Sequence, residues 1–170
     1  MSRSTLIVNV NEFSGIGKIL LCDCSNVFNA DLGRMFFRPE NVGCSRMAET
    51  ENMLYGINNE VSVEQLNFNL YEAQECEQFR HTIISQQVQT VPATQKQTNS
   101  VNKTLKVVFL CVEDPCIDSY INNLCLELDI ALVHVRMGAE GLSGSITTVV
   151  RGCSPCLMVP YNILVCDKKN

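Results

Sequence analysis

The sequence predicts an α/β protein: a Rossmann-like, mainly parallel sheet with flanking helices. Three observations carry that expectation. Short runs of apolar and β-branched residues alternate with stretches of helical periodicity, the pattern of strands joined by crossover helices. Several of the strand-like runs are continuously apolar, the form of strands buried on both faces. With 170 residues, 46% hydrophobic and 18% charged, the chain has the length and apolar content of one folded domain.

Taken in order, Ile19-Leu20-Leu21-Cys22 is a short continuous apolar run that stops at Asp23. Ser14-Gly15-Ile16-Gly17-Lys18 before it reads as a turn, because it precedes a strand whereas a phosphate-binding loop opens a helix. From Ser45 to Ile57 the apolar residues Met47, Met53, Leu54 and Ile57 fit a helix, which Asn58-Asn59 would end. Val61, Val63 and Leu66 mark a second strand, and Glu72 to Arg80 a short helix ending at His81, where a cation suits the dipole. The stretch from Ser85 to Asn102 is dominated by Gln, Thr, Ser and Asn and contains Pro92. It predicts a flexible insert over 85–104. Leu105 to Val112 is the clearest strand, and Ile117 to Leu128 an amphipathic helix entered through Pro115. Ala131 to Val135 and Ser145 to Val150 complete the set.

Charge and cysteine usage narrow the function. Thirteen Lys and Arg against eighteen Asp and Glu leave a net charge of −5, so no broad cationic surface awaits nucleic acid. No apolar run approaches the roughly 18 residues of a membrane span. The start does not read as a secretory signal, so a cytoplasmic location is expected, with the nucleus a second compartment. In that context three of the ten cysteines are expected to be reduced structural residues. Cys22, Cys111 and Cys125 sit in apolar stretches, where a thiol acts as a small hydrophobe. Cys153-Ser154-Pro155-Cys156 is different: such a pair can supply half of a tetrahedral zinc site, with Cys166 a candidate third ligand. Pro155 and Pro160 argue against the long helix that a thioredoxin-like CxxC requires.

In an open parallel sheet, ligands collect beyond the carboxyl ends of the strands. Asp23 stands at such an end, where it can accept hydrogen bonds from a ribose or equally cap a turn. Glu113-Asp114 follows the Leu105–Val112 strand at the same edge. Arg34, Arg38 and Arg46 are guanidinium candidates for phosphate. The sequence has no Gly-x-Gly-x-x-Gly after an opening strand and no Walker loop. His134 lies within an apolar strand and reads as a core residue, and no catalytic triad is supported.

The order of motifs is distinctive. Gly15-Ile16-Gly17-Lys18-Ile19-Leu20-Leu21-Cys22-Asp23 leads through Arg34-Met35-Phe36-Phe37-Arg38-Pro39 into Val42-Gly43-Cys44-Ser45-Arg46. Then come Cys111-Val112-Glu113-Asp114, Ile121-Asn122, Ser143-Gly144-Ser145-Ile146 and Cys153-x-x-Cys156. Over about residues 14 to 160 this resembles the activating enzymes of ubiquitin-like modifiers, with their ThiF/MoeB-like adenylation domain. The likeness is greatest to the branch that serves the ubiquitin-fold modifier in ufmylation.

The resemblance implies a partial adenylation domain over 15–160, a divergent segment 1–14 and a tail 161–170. It also implies ATP with magnesium as cofactor, and the ubiquitin-fold modifier and its conjugating enzyme as partners, in a homodimer or a heterodimer with an active homologue. Asp23 matches the ribose-binding acid, Arg34 a phosphate-facing arginine and Asn69 a nucleotide-contacting asparagine. Arg46 stands where the family has a phosphate-binding lysine, and Asp114 belongs to the pair that replaces Asp-Asn.

The departures are as informative. Ser25 replaces a second acid, Gly33 an asparagine, and Asp118 falls where an arginine is expected. The glycine-rich strand–turn–helix expected before Gly15 is replaced, with Leu6-Ile7-Val8 the candidate substitute for its strand. The family's thioester cysteine and second zinc pair would fall beyond Asn170. The expected function is therefore that of a modifier-activating enzyme relative, truncated and inactive alone, with no catalytic residue assigned. A non-catalytic module that binds the modifier or an active homologue is the alternative reading.

Overall fold

The computed structural model describes residues 5–11, 15–32, 36–88, 105–112, 114–138 and 142–157. They form β1 (Thr5–Asn11), β2 (Gly15–Cys22), α1 (Arg46–Ile57), β3 (Ser62–Leu66), α2 (Ala73–Val88), β4 (Leu105–Leu110), α3 (Pro115–Leu128), β5 (Ala131–Met137) and β6 (Gly144–Val149). Short 3₁₀ turns at Asn29–Asp31 and Pro39–Asn41 lie between β2 and α1.

The six strands form one sheet in the order β3-β2-β1-β4-β5-β6, the spatial order of a doubly wound dinucleotide-binding fold. β2 is parallel to β3 and β4 to β5, while β1 is antiparallel to both of its neighbours. Four strands therefore point the same way, and the mainly parallel sheet expected from the sequence is present. Only β1, at the centre, and β6, at the edge, run against them.

The reversal of β1 has a covalent cause. Residues 12–14 alone join it to β2. Three residues suit a hairpin, whereas a parallel connection needs about a dozen or more, ordinarily including a helix. Leu6-Ile7-Val8 thus does fill the central position, but upside down. Its partner β2 starts at Gly15, so the segment expected to be a turn is strand. Pairing with β1 extends the strand back to Gly15 against the poor strand propensity of the glycines, while β3 pairs only from Lys18 onward. The β1–β2 register slips between Asn9↔Lys18 and Val10↔Ile16, leaving Gly17 as the bulged residue, a common use of glycine in a strand.

Both faces of β2 are buried, as its unbroken apolar run requires. Ile19 and Leu21 pack with Met47 of α1 and Val61. Leu20 and Cys22 face the opposite side, in the larger core with Phe79 and Ile83 of α2 and Ile117, Ile121, Leu124 and Cys125 of α3. Val108, Leu110, Leu132 and Val149 carry that core across β4, β5 and β6.

Three expectations change. α2 continues past His81 to Val88, because Phe79 and Ile83, one turn apart, hold the helix on the sheet. His81 is therefore an exposed mid-helix residue, and 85–88 belong to α2, while 89–104 of the expected insert lie outside the described residues. β4 ends at Leu110, so Cys111 is exposed beyond it and is not a core residue. Cys22 and Cys125 are buried as expected, and loss of hydration pushes both thiols up to about 12.

Candidate functional site at the carboxyl edge of the sheet

Asp23, Asn69 and Asp114 follow the carboxyl ends of β2, β3 and β4, so parallel pairing puts them along one edge of the sheet. Arg46 reaches the same edge as the first residue of α1, behind the N-cap Ser45. Arg34 and Glu113 lie outside the described residues.

Asp23 and Arg46 meet directly. Arg46 Nη1 lies 3.4 Å from Asp23 Oδ2, and Nη2 lies 3.0 Å from Asp31 Oδ2. Nη2 also donates to the Asn26 carbonyl at 3.3 Å. The other Asp23 oxygen accepts from Ser25 N–H at 2.8 Å, closing a turn. Asp31 also accepts the Phe28 N–H at 2.9 Å, which ties the 3₁₀ turn into the same cluster. The three side chains are only 4%, 5% and 11% exposed, so this is a buried carboxylate–guanidinium–carboxylate triad. A cation in the first turn of a helix opposes the macrodipole, and here the two carboxylates offset that cost.

The remaining expected residues have local partners too. Asp114 is the N-cap of α3: its Oδ1 accepts from Cys116 N–H at 2.9 Å and Ile117 N–H at 3.3 Å. Its Oδ2 accepts from the Tyr71 hydroxyl at 3.2 Å, which ties the β3–α2 loop to the start of α3. Asn69 donates its backbone N–H to Glu75 Oε2 at 2.6 Å, and its Oδ1 accepts from Tyr71 N–H at 3.2 Å. The structure thus places the described candidates on one edge and engages each with the protein itself.

Two groups were missed from the sequence. Asp31 was one; its only sequence signal is its position three residues before Arg34. The other is an ionic cluster between α3 and β5. Asp118 is fully buried, 2.6 Å from Arg136 Nη2 and 3.3 Å from His134 Nε2. His134 Nε2 also stands 3.3 Å from the Val112 carbonyl, so the histidine is a buried, partnered core residue as its apolar strand suggests. Arg136 lines an open cleft of about 530 Å³ with Pro115, Ser143 and Ser145.

Cys153 and Cys156 lie in the turn after β6, where Cys153 N–H and Ser154 N–H both donate to the Val150 carbonyl. Gly152 takes a φ of +76° there, a conformation that favours glycine. Leu157 N–H donates to Asn122 Oδ1 at 3.1 Å, anchoring the turn to α3. Among the described residues no three His, Cys, Asp or Glu side chains gather where they could hold a metal ion. Cys166 lies outside the described residues.

The profile of the ThiF family matches residues 12–167, nearly the whole chain. The chain belongs to the ThiF family. Ubiquitin-like modifier-activating enzyme 5 of Dictyostelium discoideum is 30% identical over 151 residues, covering 89% of this chain and 37% of that protein. The protein of the same name from Gallus gallus is 29% identical over 155 residues, covering 88% of this chain and 36% of its own length. This chain therefore spans little more than a third of the curated relatives it matches. Among solved structures, Escherichia coli MccB with ATP superposes at a TM-score of 0.63 with 17% identity, covering 92% of this chain and 42% of MccB. That likeness establishes the shared α/β fold. No described helix is long and apolar enough to cross a membrane.

Proposed function

We propose that this ThiF-family chain serves ubiquitin-fold modifier activation as a non-adenylating partner of the modifier or of an adenylating homologue. The observation that carries the reading is the direction of β1. A dinucleotide-type site needs a strand that enters the centre of the sheet, turns through glycines and opens a helix, whose N–H groups meet the phosphates. Here the central strand runs in the opposite direction and leaves by a three-residue link to β2, and its Thr5 end lies level with Cys22 and Leu110 at the carboxyl edge.

The side chains support the same reading. ATP with magnesium would need Asp23 open to a ribose and Arg46 open to phosphate. Arg46 is instead buried between Asp23 and Asp31, and Asp23 is buried against Arg46. Asp118, where the family pattern has an arginine, takes Arg136 as its own counter-ion. These residues do not fit the nucleotide. Zinc stands likewise: Cys153 and Cys156 supply two thiolates, half of what a tetrahedral site requires.

The test is ATP–pyrophosphate exchange with the ubiquitin-fold modifier, run on this chain alone, on an adenylating homologue alone, and on the two mixed. The expected result is no exchange by this chain, with a changed rate or modifier affinity in the mixture. Exchange by this chain alone at a rate like the homologue's would overturn the proposal, as would a mixture indistinguishable from the homologue alone combined with no binding to the modifier.

A further inference from the structure

We infer that the outer face of α1 and the loop before it form a docking groove for a basic amphipathic helix of another protein, with one large apolar side chain seated over Gly56. The groove encloses about 770 Å³, with Phe36, Arg38 and Glu40 on the loop wall and Glu49, Met53 and Ile57 on the α1 wall. It begins one turn beyond Arg46, apart from the buried cluster at the carboxyl edge. Its apolar lining is open: Phe36 is 87% exposed and Ile57 80%, with Met53 half-buried. Contiguous exposed apolar surface rimmed by charge marks an interaction site.

Gly56 gives the groove its shape. Glu49, Asn52, Met53 and Gly56 recur at i, i+3, i+4 and i+7, so they share one face of α1. Glycine is unfavourable inside a helix, and nothing within this chain requires one here. Its φ is not positive, and a Cβ built on Gly56 would meet no atom within 4 Å. The helix backbone is therefore bare beside Ile57 and Met53, and an incoming side chain can lie directly against it. Met53, flexible and polarizable, can adapt to what arrives.

The loop wall decides what kind of segment fits. Arg38 N–H donates to Asn41 Oδ1 at 2.7 Å, Asn41 N–H to the Arg38 carbonyl at 2.9 Å and Val42 N–H to the Pro39 carbonyl at 3.3 Å. Pro39 itself has no N–H. These backbone donors are already committed, so a docked segment must satisfy its own main chain, which a helix does.

Charge sets the composition of that helix. Between Arg38 and Glu60, Arg46 is buried, and the remaining charges are Arg38 against the carboxylates of Glu40, Glu49, Glu51 and Glu60. Arg38 stands 3.8 Å from Glu40, and both are largely exposed, so that pair is weak. The last turn of α1 carries no basic residue, so its own charges leave the negative end of the helix dipole uncompensated. Lys or Arg flanking the apolar anchor complements all of these. A chain of net charge −5 draws a cationic partner towards them and repels a second copy of itself.

The test uses the full chain with methyl-labelled Met and Ile, titrated in about 0.15 M salt, where long-range attraction is screened. The probes are two amphipathic helical peptides of about 15 residues, four turns, one of Leu and Lys and the other of Leu and Glu. The Leu/Lys peptide should bind saturably and shift the Met53 and Ile57 methyl signals, and the Leu/Glu peptide should not. Gly56→Leu fills the seat with a better helix former whose Cβ meets nothing in this chain, so Tm should hold or rise while binding weakens at least about tenfold. Glu40→Lys with Glu49→Gln should weaken the Leu/Lys peptide and favour the Leu/Glu one. If Gly56→Leu loses its circular dichroism signal, Ile57→Asp, at an 80% exposed site, takes its place with the same expected loss. No binding of the Leu/Lys peptide, equal binding of the two peptides, methyl shifts confined to residues outside the groove, or binding that survives in a folded Gly56→Leu or Ile57→Asp chain would each overturn the proposal. So would Met53 and Ile57 shifts that follow protein concentration without peptide, the sign of a second copy in the groove.

Discussion

Arg46→Met removes the cation from between two buried carboxylates. In the folded chain its guanidinium lies 3.4 Å from Asp23 and 3.0 Å from Asp31, with the three side chains nearly inaccessible to water. Breaking a buried pair by deleting one partner costs about 3–5 kcal/mol, because the remaining charge stays desolvated. Here one cation serves two carboxylates, so the loss is expected in the upper half of that range. At roughly 2–4 °C per kcal/mol for a chain of this size, Tm should fall by about 8–20 °C. Urea denaturation gives the free energy directly: the midpoint should drop while the slope is unchanged. A triple variant, Asp23→Asn with Asp31→Asn and Arg46→Met, removes every charge of the cluster and should recover most of the loss. If Arg46→Met stays within about 1 kcal/mol of the parent, the residue is not committed to the triad. It would then be available to an anionic ligand, and the reasoning against nucleotide binding would fail with it.

Alkaline stability follows from burial. Cys22 and Cys125 are raised from an ordinary 9.0, and Tyr120 from 10.0, all to about 12, chiefly by desolvation. The unfolded chain ionises first, so stability should hold up to pH 9 and decline between 9 and 12, read as a falling urea midpoint. The same two thiols should resist iodoacetamide in the native chain, while exposed Cys24, Cys44, Cys116 and Cys153 react. Asp114→Ala deletes the α3 cap and should cost about 1–2 kcal/mol in urea unfolding. The purified chain should hold less than one zinc per chain by metal analysis, since Cys153 and Cys156 are two ligands; one tightly held zinc that survives Cys166→Ser would refute this.

The strands were legible where burial dictates composition. Ile19–Cys22 reads as a two-sided core strand because both faces do meet helices, and the run at 105–112 because Val108 and Leu110 lie at the centre of the larger core. Legibility failed where the deciding fact was a partner distant in sequence. The polar composition after His81 hides the fact that Phe79 and Ile83 already bind the helix to the sheet. Gly15 and Gly17 read as a turn until β1 pairs along that segment. Cys111 looks like core from its neighbours, but one residue past the last ladder bond is enough to expose it.

At the candidate site the same limit acts on chemistry. Asp23 and Arg46 stand in the order that the family resemblance reads as a nucleotide site, and that order survives in the sequence whatever lies between them in space. Spatially, a glycine-rich turn and helix would enter at the centre of the sheet and present N–H groups there. A link of three residues cannot make that excursion; it can only fold back, and by folding back it sends β1 into the central slot reversed. The two residues are then left to neutralise one another, with Asp31 completing the cluster. Asp31 could not be picked out as a ligand from sequence because its role is to serve Arg46. On the proposed reading, the length of one connection, more than any substituted site residue, separates this sheet from one built to cradle phosphates.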